Sequence, residues 1–184
     1  MPMTRAMTFR QYREGGFTLL EILVAIVVIS LGLLGLAGLQ VVSLNGNQIA
    51  YYRGLAAQQT YDMTDRIRAN VAGVGAGNYD APTATTDPGC IDSACSVSQI
   101  ADADFVQWNN TNALLLPGGA GTVQCAIGPT VPCTNVVASS NRVFDITVTW
   151  IEKNMGDTGA SSSDTNCPAG TAPNTRCFVT RFVP

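Results

Sequence analysis

The stretch REGGFTLLEILVAIVV, from Arg13 to Val28, decides the fold because it places a carboxylate at the start of a long apolar run. Glu21 directly precedes 23 uncharged residues, Ile22 to Leu44. At about 1.5 Å per residue they form a helix of roughly 35 Å, enough to cross a hydrocarbon core of about 30 Å. A charge at the edge of such a segment is unfavourable unless it has a use.

The composition of this segment favours insertion into a bilayer. Fifteen of its 23 residues are Leu, Ile or Val. Together they favour insertion by roughly 5–9 kcal/mol, against a cost of about 3 kcal/mol for one buried charge. Arg5, Arg10 and Arg13 precede the segment, and basic flanks stay on the cytoplasmic side. We therefore expect one membrane-spanning helix, a cytoplasmic N-terminus and an exported remainder.

Two simpler interpretations of this segment stay open from the residues alone. A secretory signal peptide has an apolar region of about 7–15 residues followed by a small-residue cleavage site. This segment is longer, and Ala37-Gly38-Leu39 is a poor cleavage sequence. In an uncleaved membrane anchor, Thr18-Leu19-Leu20-Glu21 is a capping box at the start of a helix.

The motif GGFTLLE, Gly15 to Glu21, resembles the class III signal of type IV prepilins. That signal is a short basic leader ending in glycine, followed by Phe and by Glu at the fifth mature position. Glu14 departs from the basic leader. The resemblance implies that a membrane-embedded prepilin peptidase cleaves between Gly16 and Phe17 and N-methylates Phe17. The apolar helix then stays on the protein as an anchor and becomes part of the filament core.

This resemblance divides the chain into a leader (1–16), a transmembrane and assembly helix (17–44) and a periplasmic domain (45–184). Glu21 is expected to act in subunit assembly. Three glycines recur inside the apolar span: Gly32, Gly35 and Gly38. Small residues let membrane helices approach closely, and each glycine weakens a helix by roughly 1 kcal/mol. The resemblance implies local softness at these glycines, although glycine is also frequent in membrane helices.

Helical periodicity continues beyond the membrane segment. Apolar residues fall on one stripe: Ile49, Tyr52, Ala56, Met63, Ile67 and Val71. This pattern predicts core packing, and Asp62 and Arg66 are spaced to pair on the outer face. The glycines at 73, 75 and 77 are expected to end the helix. The run TYDMTDRIRAN, residues 60–70, resembles the end of the long helix in minor pilins of the type IV pilus modification protein family, PilV.

The remaining sequence predicts a loop, a short helix and a sheet. Residues 78–100 are rich in turn formers. In DADFVQWNNTNALLLPGG, Phe105, Trp108 and Leu115 share a helical face, Asp102 or Asp104 is the expected N-cap, and the Pro-Gly-Gly stops the helix. A tryptophan followed by LPGG also resembles the PilV type. Strands are expected at 122–127, in RVFDITVTWIE and in RCFVTRFV. The predicted architecture is α+β, with one long helix on a small antiparallel sheet. That order matches the pilin fold.

Six cysteines lie beyond residue 89, which suggests disulfides in an exported domain. Six cysteines allow 15 connectivities that sequence alone cannot resolve. The economical pairing is sequential, Cys90–Cys95, Cys125–Cys133 and Cys167–Cys177, because each pair brackets one short loop. Closing each loop contributes roughly 2–3 kcal/mol.

Composition argues against several functional classes. The chain has no histidine, the commonest general base and transition-metal ligand. Its net charge of −3 does not suggest a nucleic-acid partner. The carboxylates Asp62, Asp65, Asp102 and Asp104 are expected on helices or caps, and serines 161–163 lack a histidine base. Asp157 and Asp164 are a weak signal for calcium. We expect no enzymatic activity, no cofactor and no metal site.

The sequence as a whole favours a minor pilin of a type IV pilus. Its expected partners are prepilin peptidase, other major and minor pilins, the inner-membrane pilus assembly machinery and the membrane itself. The expected location is the inner membrane with a periplasmic domain, and then the pilus surface. A minor pseudopilin of a type II secretion system shares the signal and the fold and remains the alternative. A membrane-anchored adhesin or binding module outside a filament would show no leader cleavage.

Overall fold

The computed structural model describes residues 15–91, 94–126, 133, 142–152, 167–168, 171–172 and 174–184. Its helices are α1 (Leu19–Ala69), α2 (Val71–Gly75) and α3 (Val97–Leu115). Its strands are β1 (Ala120–Ala126), β2 (Val143–Ile151) and β3 (Thr175–Phe182). The chain divides into two compact units, one ending at Gly46 and the other beginning at Asn47.

The helix α1 is 51 residues long and contains the apolar segment. Within the described residues it is the one helix long and apolar enough to cross a membrane. The large apolar side chains of the first unit are exposed, from Phe17 to Leu44. They form no core of their own, as expected of a segment whose surroundings are lipid or other helices.

The part of α1 in the second unit packs one face into a hydrophobic core. Ala56, Met63 and Ile67 are fully buried there, which confirms most of the predicted stripe. Val71 is 67% exposed, so its place in the stripe is wrong. The reason is a change of backbone direction at Asn70 (φ −108°, ψ 63°), where α1 has ended and α2 begins.

Asn70 also corrects the predicted end of the long helix. Its side chain accepts a hydrogen bond of 3.0 Å from the backbone N–H of Gly73 and so caps α2. Gly73 and Gly75 belong to α2, and Gly77 follows it with a φ of 81°. A positive φ suits glycine. The glycines therefore end the short helix α2. The long helix α1 ends before them, at the Asn70 cap that separates it from α2.

The helix α3 begins earlier than the sequence indicated. Ser96 is its N-cap, and Ser96 and Gln99 form a complete capping box. The predicted caps, Asp102 and Asp104, lie inside the helix, so that prediction is wrong. In a capping box the two side chains satisfy two N–H groups at once, and in this helix Ser96 and Gln99 form it. The predicted stop holds, since α3 ends at Leu115.

Trp108 on α3 fixes this helix against α1 and β1. Its ring is fully buried, as predicted, and its Nε1–H donates to the backbone carbonyl of Gln59 at 2.8 Å. Gly121 on β1 lies under the ring, since an added Cβ would be 2.2 Å from Trp108 Cη2. Leu115 was expected on the buried face but is 40% exposed, and the next residue, Leu116, is 2% exposed.

The three strands described form one antiparallel sheet in the order β1-β2-β3. The alternation predicted for β2 is confirmed, with one face buried: Phe144, Ile146, Val148 and Trp150. Phe182 on β3 is the register partner of Phe144, and their rings stack with centroids 5.6 Å apart. The strand β1 begins two residues before the predicted start at Thr122. A long N-terminal helix, a small sheet and disulfide-bonded cysteines make this the α+β pilin fold.

Candidate processing and assembly site

The predicted cleavage bond lies in exposed chain outside the helix. Residues 15–18 have no helical or strand structure and are exposed, and Phe17 is 79% exposed. A Cβ added at Gly15 or Gly16 would meet no atom within 4 Å. The fold therefore does not require glycine at these positions, and a protease can reach the bond between Gly16 and Phe17.

The start of α1 shows how Glu21 is placed. Its backbone N–H contacts the Thr18 hydroxyl at 3.3 Å and the Thr18 carbonyl at 3.1 Å. Thr18 thus supplies the threonine half of a capping box. Within the described part of the chain, the exposed Glu21 carboxylate has no hydrogen-bond or ion-pair partner. The cap explains the threonine, and among the described residues the charge of Glu21 interacts only with the dipole at the start of α1.

The three glycines of the apolar span lack contacts that would explain them. A Cβ added at Gly32, Gly35 or Gly38 meets nothing within 4 Å. Packing inside one chain therefore does not select glycine at these positions. What glycine offers there is a bare backbone for a neighbouring helix and a lower local helix stability. Both remain predictions for the assembled state.

A comparison with known families supports this assignment of the N-terminal segment. A family model described as the prokaryotic N-terminal methylation motif matches residues 12–37. The matched range contains the Gly16–Phe17 bond and Glu21. The chain is type IV pilin-like. No curated protein and no solved structure matches the chain significantly.

The motif carries consequences for processing and location. It implies processing by a prepilin peptidase and assembly with other pilins and their machinery. Together with the apolar helix, it fits membrane anchoring. The same motif serves pilins and pseudopilins, so it supports a subunit of either kind.

Three disulfides close loops of the second unit: Cys90–Cys95, Cys125–Cys133 and Cys167–Cys177. The pairs are those of the sequential expectation. Cys125 lies on β1 and Cys177 on β3, and both are buried. Cys95 directly precedes the N-cap of α3. Each bridge therefore links a segment outside the helices and strands to a strand or to the start of α3.

A charged cluster joins α1 to α3, and the sequence revealed only half of it. The predicted pair is present, with Arg66 Nε donating to Asp62 Oδ2 at 2.9 Å. Arg66 Nη1 also reaches Asp104 Oδ1 on α3 at 3.3 Å and Gln107 Oε1 at 3.4 Å. The pair is thus part of a helix–helix contact instead of an outer face. An i,i+4 rule shows a local pair but gives no sign of a partner 38 residues away.

Tyr79 extends this cluster into the core. Its ring is fully buried and its hydroxyl donates to Asp104 Oδ2 at 2.6 Å. Burial, and then the hydrogen bond to the Asp104 carboxylate, raise the pKa of Tyr79 above its ordinary value. Asn70 Nδ2 donates to the Tyr79 hydroxyl at 3.2 Å and to the Val97 carbonyl at 2.9 Å. These bonds hold the α1–α2 break against the first turn of α3.

A second contact of this kind lies beside a disulfide. Arg142, which is buried, forms an ion pair with Asp80. The ligand atoms of Asp80, Cys125 and Cys133 lie within 4.8 Å of one another. Because the two sulfurs are joined to each other and the carboxylate faces a guanidinium, this cluster is a covalent bridge beside an ion pair. We assign no metal to it.

The remaining acidic residues that could serve catalysis or calcium binding lie either on helices or outside the described residues. Asp65 Oδ1 lies 3.9 Å from Arg68 Nη1 on the same helix, and Asp102 lies on α3. The loop residues Asp157 and Asp164 and serines 161–163 fall outside the described residues. The ion pairs and hydrogen bonds of the described side chains stabilise the second unit, and the N-terminal segment is the part of the chain that a family model matches.

Proposed function

We propose that this protein is a minor pilin of the PilV type, a structural and assembly subunit of a type IV pilus. Its place is in the complex that primes the filament or forms its tip. The observation that carries the proposal is the methylation motif at residues 12–37 on a chain with the α+β pilin fold. The runs at 60–70 and at Trp108 to Gly119 add the resemblance to the PilV type.

The proposed maturation begins with hydrolysis of one peptide bond. Water adds across the amide between Gly16 and Phe17, which leaves a carboxylate on Gly16 and an ammonium on Phe17. N-methylation of Phe17 keeps that nitrogen basic. The leader (1–16) is released, the helix (17–44) remains in the membrane, and residues 45–184 lie in the periplasm until the subunit enters the pilus.

The new ammonium would offer a partner to the Glu21 carboxylate, which has no hydrogen-bond or ion-pair partner among the described residues. Neither charge is favourable alone at the edge of an apolar environment. We propose that Glu21 of one subunit meets the Phe17 ammonium of its neighbour as the helix leaves the bilayer. The pair offsets part of the desolvation of both groups and fixes the axial register of the two helices.

The experiment that tests processing is intact-mass analysis of membrane-extracted protein without reductant. The expected mass is that of residues 17–184 plus one CH2, because a methyl group replaces a hydrogen, and minus six hydrogens for three disulfides. Gly16→Leu should abolish processing, because the resemblance places Gly16 on the leader side of the cleaved bond. The protein should stay in the membrane, because the apolar span is untouched and a Cβ added at Gly16 meets nothing within 4 Å. A mature-length product from Gly16→Leu would contradict the assigned bond, and the unprocessed mass in the wild type would favour the anchored binding module.

The alternative, a minor pseudopilin of a type II secretion system, rests on the same motif. A deletion strain separates the two functions by different readouts. The pilin proposal expects fewer or shorter pili by electron microscopy and normal export of secreted proteins. The pseudopilin alternative expects normal pili and reduced export of secreted proteins. Neighbouring genes for pilus assembly or for secretion provide an independent indication.

A further inference from the structure

We propose that Tyr51, Tyr52 and Arg53 form an interfacial belt that binds the phosphates of anionic phospholipid headgroups on the periplasmic side of the membrane. The proposal rests on the membrane-anchored stage of the proposed function. It assigns a lipid partner to a part of α1 that lies beyond the apolar segment.

The first argument is the spacing of charges along the helix. Glu21 and Arg53 border a stretch of 31 uncharged residues, 22–52. Both lie in the continuous helix α1, and 32 steps of about 1.5 Å amount to about 48 Å. The usual tilt of roughly 20° reduces the span along the membrane normal to about 45 Å. That is the thickness of a bilayer with both headgroup layers, about 40–45 Å.

The second argument is that Arg53 is exposed and has no acidic partner among the described residues. The other described arginines of the second unit each pair with a carboxylate: Arg66, Arg68, Arg142, Arg176 and Arg181. A guanidinium presents several N–H donors in a planar fork that matches a phosphate. Arg53 therefore has the charge and the donors for a headgroup, and among the described carboxylates none competes for it.

The third argument is the pair of tyrosines beside it. Successive helical residues are about 100° apart, so Tyr51 and Arg53 lie on opposite sides of Tyr52. Tyr52 packs partly against the core, and Tyr51 is 62% exposed. Their ring centroids are 5.9 Å apart. Tyrosines are enriched at membrane–water interfaces, and these three successive residues span about 200° of the helix circumference within about 3 Å along its axis.

The test uses the full-length processed protein in nanodiscs of phosphatidylcholine alone, or of phosphatidylcholine and phosphatidylglycerol in equal parts. Hydrogen exchange of residues 47–53 is measured in both. An arginine near an anionic surface gains about 1 kcal/mol, so exchange should be about fivefold slower with phosphatidylglycerol. The readout is the ratio of the exchange rate without phosphatidylglycerol to the rate with it. Arg53→Gln should bring this ratio close to one, and Arg53→Lys should retain most of the difference.

The control is Tyr61→Ala, because Tyr61 is 63% exposed on the same helix but ten residues further along. It should leave the ratio unchanged, whereas Tyr51→Ala should reduce it. A wild-type ratio of one, or an unchanged ratio in Arg53→Gln, overturns the lipid site while the anchor stands. A chain that does not co-purify with nanodiscs overturns the anchor and the lipid site together.

Discussion

Replacing Glu21 with glutamine tests whether the carboxylate at the start of α1 acts in assembly or in folding. Glutamine keeps the backbone N–H that contacts Thr18 and nearly the same side-chain size. The free subunit loses only the interaction of the charge with the helix dipole, about 0.3–1 kcal/mol for an exposed site. We therefore expect Glu21→Gln to be inserted, cleaved and methylated like the wild type.

Assembly should respond differently, because in the filament we propose that the charge has a partner. Two unit charges 4 Å apart attract by about 1 kcal/mol in water and about 4 kcal/mol at the effective dielectric of a protein surface. Desolvation of both groups removes part of the larger figure. Taking the lower value, Glu21→Gln should reduce incorporation into pili at least about fivefold.

The assay compares the protein in sheared pilus fractions with its membrane pool, after intact mass has shown that each variant is processed. Thr18→Ala is the matched control, since it removes the side-chain cap, worth about 1 kcal/mol, and keeps the carboxylate. It should retain most incorporation. Wild-type incorporation by Glu21→Gln, with a loss in Thr18→Ala, would show that helix capping matters here and that charge pairing does not.

The remaining predictions concern the stability of the second unit. Gly121→Ala should lower its free energy of unfolding by about 1–3 kcal/mol, because the new methyl group would lie 2.2 Å from Trp108 Cη2. Gly54→Ala should raise it by about 0.5–1 kcal/mol, since a Cβ there meets nothing within 4 Å. Thermal unfolding followed by tryptophan fluorescence measures both, and shifts of the same sign contradict the packing argument. Cys177→Ser should lower the free energy of unfolding by about 2–5 kcal/mol. Unchanged protease resistance would argue against a structural role of the Cys167–Cys177 bridge.

The regular elements could be predicted because their signals are local. The alternation in β2 requires only that neighbouring residues face opposite sides of a sheet, and four apolar residues at even positions show it. The stripe on α1 depends on spacings of three and four. The capping box at Ser96 and Gln99 was equally local. Its signal is ambiguous in the sequence, because Asp104 and Gln107 have the same spacing as Ser96 and Gln99.

The break at Asn70 and the role of Gly121 depend on contacts that distant parts of the chain provide. Asn70 ends α1 because its side chain bonds Gly73, Tyr79 and Val97 together, and helical periodicity gives no sign of this. Gly121 looks like a turn residue after a Pro-Gly-Gly run. Its requirement for glycine comes from the ring of Trp108, which reaches it only after the chain has reversed direction.

The candidate site could be predicted for a different reason, since the peptidase and the membrane recognise a linear segment. Cleavage needs an accessible bond, and Gly16 and Phe17 have no tertiary contacts that would hide it. The roles that we propose for Glu21 and for the glycines of the apolar span involve other subunits, so contacts inside one chain do not test them.

The exposed first unit indicates what must decide between the membrane and the filament. Lipid tails are as apolar as leucine, so exchanging lipid for a neighbouring helix yields little hydrophobic free energy. The fifteen aliphatic residues of the span therefore favour both environments almost equally. A preference for assembly must come from interactions that lipid does not offer, and we propose two of them: a charge partner for Glu21 and close backbone approach at glycines. For this reason the substitution of one carboxylate should change incorporation strongly, while exchanging leucine for isoleucine on the same helix should change it little.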